Sequence, residues 1–93
     1  MTRNDIRLYY KNQLELSYAL RDYIDLYFEN RVHDEELEET ITSVIAANKD
    51  KFYSGTEIAK KPKQVLGKTR LNVLKQILLK KGEKLNEEDS YIK

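Results

Sequence analysis

The sequence predicts an all-α fold, a small bundle of three to four helices built on a long N-terminal helical hairpin. Apolar side chains recur at spacings of three and four residues over long stretches, which is the period of a helix that buries one face. No segment alternates strictly between polar and apolar residues, and no Asn-Gly or Asp-Gly turn is present, so no strand is required. Glycine and proline first appear at Gly55, which leaves the first half of the chain without a strong breaker.

The first helix is predicted over residues 4–30. One buried seam with alternating gaps of three and four residues runs along it, and this seam comprises Ile6, Tyr9, Gln13, Leu16, Leu20, Tyr23 and Tyr27. At 1.5 Å per residue such a helix is about 40 Å long. That length is large for so small a domain, so we expect part of the helix either to project from the domain or to contact a partner.

The second helix is predicted to begin at Asp34, a good N-cap residue followed by glutamates in the electropositive first turn. One face of this helix carries Leu37, Ile41, Val44, Ile45, Asn48 and Phe52. Because the link over residues 30–33 is short, the first two helices should form an antiparallel hairpin. Asn48 and Gln13 are interpreted as polar groups at the edge of the core that pair with one another or cap a neighbouring backbone group.

Two further helices complete the predicted bundle. The pattern Ser-x-x-Glu at residues 54–57 fits a capping box that opens a short third helix, and Pro62 should end that helix near Lys60. The fourth helix occupies residues 63–81, either capped by Thr69 or starting at Pro62 with a bend at Gly67. Gly82 is the expected stop. We assign residues 1–82 to a single helical domain and residues 83–93 to a flexible polar tail.

The charge of +1 hides a strong asymmetry along the chain. Residues 1–57 carry a net charge of −5, residues 58–84 carry +8, and residues 85–93 carry −2. One interpretation is a basic surface for nucleic acid over residues 60–84, with these candidates for phosphate contacts: Lys60, Lys61, Lys63, Lys68 and Arg70. The alternative is that the glutamates of the second helix neutralise this segment.

Tyrosines are concentrated on the predicted first helix, which carries five of the seven. Some should line the core with their hydroxyls at its margin. Tyrosine also accumulates at protein interfaces, so we name Tyr10, Tyr18 and Leu26 as candidates for contact with a partner protein or a second copy of the chain.

The residues argue against catalysis and against a cofactor. The chain has no cysteine and one histidine, which excludes disulfides and cysteine-based zinc sites. Gly67-Lys68-Thr69 matches the end of a phosphate-binding loop, but the glycine that the motif needs is replaced by Pro62. We therefore expect no enzyme activity, no catalytic residues, no metal and no small-molecule substrate. The charged N-terminus and the absence of a long apolar run favour a cytoplasmic protein with no membrane partner.

Residues 34–79 resemble a family of short uncharacterised proteins from Gram-positive bacteria and their phages. Three blocks carry the resemblance, namely Glu35-Glu36-Leu37 with Ile41 and Ile45, then Asn48 with Lys49 and Lys51, and finally Leu66-Gly67-Lys68-Thr69-Arg70-Leu71 with Val73-Leu74 and Ile77-Leu78. The resemblance implies a small all-α accessory protein, often of mobile-element origin, and supplies no catalytic residues.

Two functional hypotheses follow. The favoured one is a non-enzymatic interaction or regulatory protein, phage- or mobile-element-associated, which binds and modulates another macromolecule, with a protein partner or homodimer preferred. The alternative is a nucleic-acid-binding protein that uses the basic segment 60–84.

Overall fold

A computed structural model describes residues 6–80 of the chain. Six elements follow one another: α1 (Gln13–Phe28), α2 (Asp34–Ala47), α3 (Lys49–Phe52), β1 (Tyr53–Ser54), β2 (Glu57–Ile58) and α4 (Lys60–Lys80). The described residues are mostly helical, as predicted, with one small antiparallel hairpin in addition. The expectations for residues 1–5, for the stop at Gly82 and for the tail over residues 83–93 lie outside the described residues.

The first helix starts nine residues later than predicted, at Gln13. Asn12 adopts an extended conformation and its side chain accepts a hydrogen bond from the Glu15 N–H at 2.9 Å, which is an N-cap. The pattern Asn-x-x-Glu at residues 12–15 is a recognisable start signal that the periodicity of the seam concealed. Residues 6–12 are not helical, so the predicted length of about 40 Å is wrong.

Asn48 holds this non-helical segment against the end of α2. Its Nδ2 donates to the carbonyls of Leu8 and Val44, both at 2.7 Å, and its Oδ1 accepts from the Tyr10 N–H at 3.2 Å. Gln13 acts in a similar way, because its Nε2 donates to the Lys51 carbonyl at 3.0 Å. The prediction that these two side chains cap backbone groups is confirmed, and the alternative that they pair with one another is wrong.

The predicted short helix after residue 54 is wrong, because Ser54–Glu57 forms the turn of the hairpin. Tyr53 pairs with Ile58 and Ser54 with Glu57. Gly55 has a φ of 69°, which a two-residue turn of type II′ requires at its first central position. A capping box would need helical backbone there, whereas the positive φ of Gly55 reverses the chain.

The last helix begins at Lys60 and is kinked at Gly67, where φ is 77° and ψ is 173°. That conformation is essentially restricted to glycine. Because Gly67 is not helical, α4 consists of two helical pieces that meet at the kink. The predicted start near Pro62 with a bend at Gly67 is close to the structure, and the alternative of a separate final helix after the bend also agrees with this break. Pro62 is accommodated because it lies in the first turn, where backbone N–H groups have no helical acceptor.

The core lies between α1, α2 and α4. It includes the face predicted for the second helix, from Leu37 to Phe52, together with the following residues from the other elements: Leu16, Leu20, Tyr23, Ile24, Leu66, Leu74, Ile77 and Leu78. The Ala59 N–H donates to the Phe52 carbonyl at 2.8 Å, which places the start of α4 beside α3 and hence beside the start of α1. The end of α4 lies beside Tyr27 and Asp34, so α1, α2 and α4 run up, down and up.

Candidate functional site

One end of the bundle collects most of the unpaired positive charge. The hydrogen bonds of Asn48, Gln13 and Ala59 bring together the N-terminal segment, the start of α1, the α2–α3 junction, the hairpin and the start of α4. We call this the basic end and define it by residues 6–15 and 46–66. These residues carry seven basic and three acidic side chains, a net charge of +4. The basic ones are Arg7, Lys11, Lys49, Lys51, Lys60, Lys61 and Lys63.

Three of the predicted phosphate-contacting lysines cluster in the first turn of α4. Lys60, Lys61 and Lys63 are exposed, and none of them forms an ion pair within residues 6–80. The Lys63 N–H donates to the Ala59 carbonyl at 3.2 Å, which leaves the Lys60 and Lys61 N–H groups at the electropositive terminus of the helix. The backbone N–H groups at the start of α4 and the side chains of these three lysines therefore contribute positive charge to the same end of the helix.

Lys68 follows the kink and is also exposed without an ion pair in the described part of the chain. The non-helical backbone of Gly67 lies between Lys68 and the cluster of Lys60, Lys61 and Lys63. Lys68 therefore stays a candidate for a phosphate contact outside the first turn of α4.

Arg70 is not free, which corrects its assignment as a phosphate contact. Its Nε and Nη2 donate to Asp25 Oδ1 and Oδ2 at 2.8 and 3.1 Å, and its Nη1 donates to the Leu66 carbonyl at 3.1 Å. The hydrogen bond with Asp25 raises the pKa of Arg70 above its usual range. This two-pronged pair joins α4 to α1 and removes the guanidinium from the candidate site.

The opposite end of the bundle is acidic. Residues 22–40 and 67–80 carry eight acidic and five basic side chains, a net charge of −3. Lys80 Nζ lies 2.8 Å from Glu38 Oε2, and this contact raises the pKa of Lys80. Glu38 of α2 therefore neutralises Lys80, which agrees in part with the alternative that α2 neutralises the basic segment, whereas Lys60, Lys61 and Lys63 have no such pair among residues 6–80.

The three candidates for a protein interface do not form one surface. Tyr10 is 7% exposed and belongs to the core, which corrects its assignment as a contact residue, and burial raises the pKa of its hydroxyl. Leu26 packs partly buried against the same core. Tyr18 is 43% exposed on another face of α1, with the Arg21 guanidinium 4.8 Å from its ring centroid.

Tyr10 and Leu26 nevertheless line a common apolar groove. The groove measures about 300 Å³ and runs between the N-terminal segment and α1. Arg7 stands on one rim and Asp22 on the other, and the remaining lining residues are Ile6, Ala19 and Tyr23.

Tyr9 was placed in the buried seam by its spacing, yet its side chain is 68% exposed at the basic end. Its neighbours Leu8 and Tyr10 are both hydrogen-bonded to Asn48. Because the segment is not helical, the spacing of three and four residues does not apply to it. The helix-start signal at Asn12 is the feature that shows where the helical period stops, so the assignment of Tyr9 to the seam is wrong.

Groups with catalytic potential are dispersed. Ser17 is buried and donates to the Gln13 carbonyl at 2.7 Å, and the exposed His33 precedes α2 as its N-cap residue. No group of three metal-ligating side chains occurs among residues 6–80.

Within the same range, each helix is too short or too polar to cross a bilayer.

Comparison with known proteins finds a family that matches most of the chain. A family model described as a conserved hypothetical protein matches residues 7–79, from the N-terminal segment to the last turn of α4. Neither a curated protein nor a solved structure matches the chain.

Proposed function

The chain belongs to this family of conserved hypothetical proteins, and we propose that it is a non-enzymatic protein that binds nucleic acid at the basic end of its bundle. The observation that carries the proposal is the cluster of Lys60, Lys61 and Lys63, exposed and without ion pairs in residues 6–80, at the N-terminus of α4. Phosphates attract lysines and helix N-termini alike, and each neutralised phosphate releases counterions.

The separation of charge supports this choice of surface. A polyanion is repelled by the acidic end and attracted by the basic end, so the charge distribution orients the protein before contact. Arg70 and Lys80 are paired with Asp25 and Glu38, whereas Lys60, Lys61 and Lys63 have no ion-pair partner among residues 6–80.

A long first helix rich in exposed tyrosines was the reason to expect a protein partner. In the structure this helix has 16 residues, and Tyr10 and Tyr23 are core residues, so that reason is weaker. Among the candidates for phosphate contacts in the basic segment, only Arg70 is held in an ion pair. We therefore prefer nucleic acid as the macromolecule that the protein binds. The regulatory role that we propose is that this binding modulates the function of the nucleic acid.

The proposal predicts a salt-dependent interaction that depends on the lysines of α4. Each lysine that neutralises a phosphate steepens the plot of log affinity against log salt by about 0.7 to 0.9. Lys60→Gln with Lys63→Gln should lower that slope by about 1.4 to 1.8 and weaken binding most at low salt. Fluorescence anisotropy with labelled oligonucleotides between about 50 and about 200 mM salt measures both quantities.

The matched control is Arg31→Gln with Lys80→Gln, which makes the same change of net charge at the other end of the bundle. It should leave the slope unchanged. Equal effects of the two double variants would mean that net charge alone governs binding, and the assignment of the site would be wrong. Absence of binding by the unmodified protein at about 50 mM salt would end the proposal.

A second candidate function is self-association through the apolar groove, with a second copy of the chain as the occupant. A two-fold axis through the groove would place Arg7 of each copy against Asp22 of the other. These side chains are 70% and 67% exposed, and the dimer would exchange their contacts within the chain, Arg7 with Glu15 at 3.5 Å and Asp22 with Arg21 at 3.0 Å. Such crossed pairing is what an isologous interface requires. Ala19 leaves space for close approach of the two α1 helices.

Asp22→Arg is expected to abolish this dimer, because it opposes like charges at both rims. The double exchange Arg7→Asp with Asp22→Arg should restore it. Sedimentation velocity over a range of concentrations measures the association. Sedimentation of the unmodified protein as a monomer throughout would exclude the dimer, as would an Asp22→Arg variant that still dimerises.

The proposal places the protein in the cytoplasm of a Gram-positive bacterium or of a cell infected by a phage. The resemblance of residues 34–79 to proteins of such bacteria and phages supports this assignment. A small nucleic-acid-binding protein of a mobile element would act in that compartment.

A further inference from the structure

From the position of Tyr9 we infer that the basic end binds single-stranded rather than duplex nucleic acid, with an unpaired base stacked on the Tyr9 ring. The inference rests on the proposed function and names its substrate class. The observation behind it is that the Tyr9 side chain is 68% exposed and does not pack in the apolar core.

The exposure of Tyr9 is built into the fold. Asn48 is 1% exposed and binds the backbone on both sides of Tyr9, at the Leu8 carbonyl and at the Tyr10 N–H. With both neighbours fixed, the Tyr9 side chain is directed away from the core. Its ring takes part in no ring–ring or cation–π contact among the described residues.

The surroundings of Tyr9 suit a sugar–phosphate backbone. Arg7 and Lys11 flank it in the sequence, and Lys49 directly follows the Asn48 that anchors it. Bases of any type stack on an exposed aromatic ring while positive side chains follow the phosphates, which is how single strands are bound without sequence readout. In a duplex the base faces are already stacked, so Tyr9 would contribute little there.

The Arg7 guanidinium is less available than Lys11, since it lies 4.9 Å from the Tyr10 ring centroid and 3.5 Å from Glu15. We therefore assign the phosphate contacts beside Tyr9 to Lys11 and Lys49. Lys49 belongs to α3, where its side chain is exposed.

The test compares a labelled single strand of about 15 thymidines with a mixed-sequence duplex of the same length, using the full chain at low salt. The single strand should bind more tightly. Tyr9→Ala should weaken its binding by about 5- to 150-fold, the range found for loss of one stacked base, and leave duplex binding unchanged. Tyr9→Phe should retain the affinity, because a phenyl ring still stacks.

Tyr18→Ala is the matched control, since it removes another exposed tyrosine from α1 and should have no effect. Tighter binding of the duplex, or an unchanged single-strand affinity in Tyr9→Ala, would overturn this inference while leaving the proposed function in place. If neither oligonucleotide binds, both fail together.

Discussion

Replacement of Asn48 by aspartate is expected to lower the free energy of unfolding by about 3 to 5 kcal/mol at pH 7. The Asn48 side chain is 1% exposed, and its Nδ2 donates to two carbonyls at 2.7 Å. An aspartate would present an acceptor to both carbonyls and bury an unpaired negative charge. A loss of this size approaches the whole stability of a small domain.

The loss of stability in Asn48→Asp should depend on pH. Burial raises the pKa of the introduced carboxyl in the folded state above its value of about 3.9 in the unfolded chain. Between those two pKa values the folded state holds the extra proton, so stability falls as pH rises. The difference between Asn48→Asp and the unmodified protein should therefore be smaller at about pH 5 than at pH 7.

Urea denaturation at both pH values measures the effect of Asn48→Asp. Asn72→Asp makes the same chemical change at an exposed position of α4 and should alter stability by less than about 0.5 kcal/mol. Asn48→Ala, which loses the hydrogen bonds without adding a charge, should lie between them, at about 2 to 3 kcal/mol. Equal stability of the two aspartate variants would contradict the structural role of Asn48.

Phe52→Ala is expected to destabilise the protein by about 3 to 5 kcal/mol. Phe52 is completely buried at the end of α3, its ring packs edge-on against Tyr53 at 4.9 Å, and its carbonyl accepts the Ala59 N–H. Its removal leaves a cavity where α3, the hairpin and the start of α4 meet. The position of the α4 lysines depends on this junction.

Thermal and urea denaturation of Phe52→Ala and Phe28→Ala test this role. Phe28 is exposed at the end of α1, so the same truncation there should cost less than about 1 kcal/mol. At a temperature where Phe52→Ala is folded, we also expect weaker nucleic-acid binding than in Phe28→Ala. A loss below about 1 kcal/mol for Phe52→Ala would show that this junction tolerates the cavity.

One local sequence pattern forms different structures at two places in the chain, which shows that a short motif does not determine the structure by itself. A polar residue followed three positions later by glutamate marks a helix start at Asn12, but the corresponding pattern at Ser54 forms a hairpin turn. Gly55, at the first central position, indicated the turn. The helix start at Asn12 also depends on a distant contact, since Asn48 binds the segment before it.

The candidate site was recoverable from the sequence in part. The charge asymmetry identified Lys60, Lys61 and Lys63, because a local excess of lysine is visible in any linear count. That count could not distinguish Arg70, whose partner Asp25 lies 45 residues away in the chain. Tyr9 was missed because a helical period was extended through a segment that is not helical.

The sequence by itself determined the helical character of the chain, the buried face of α2 and the polarity of charge, because periodicity and composition are properties of neighbouring residues. The tertiary structure alone decided which basic side chains are free and which tyrosine faces solvent. Those outcomes depend on single hydrogen bonds and ion pairs between residues some 40 positions apart, such as Asn48 with Leu8 and Arg70 with Asp25. Local spacing carries no information about such contacts.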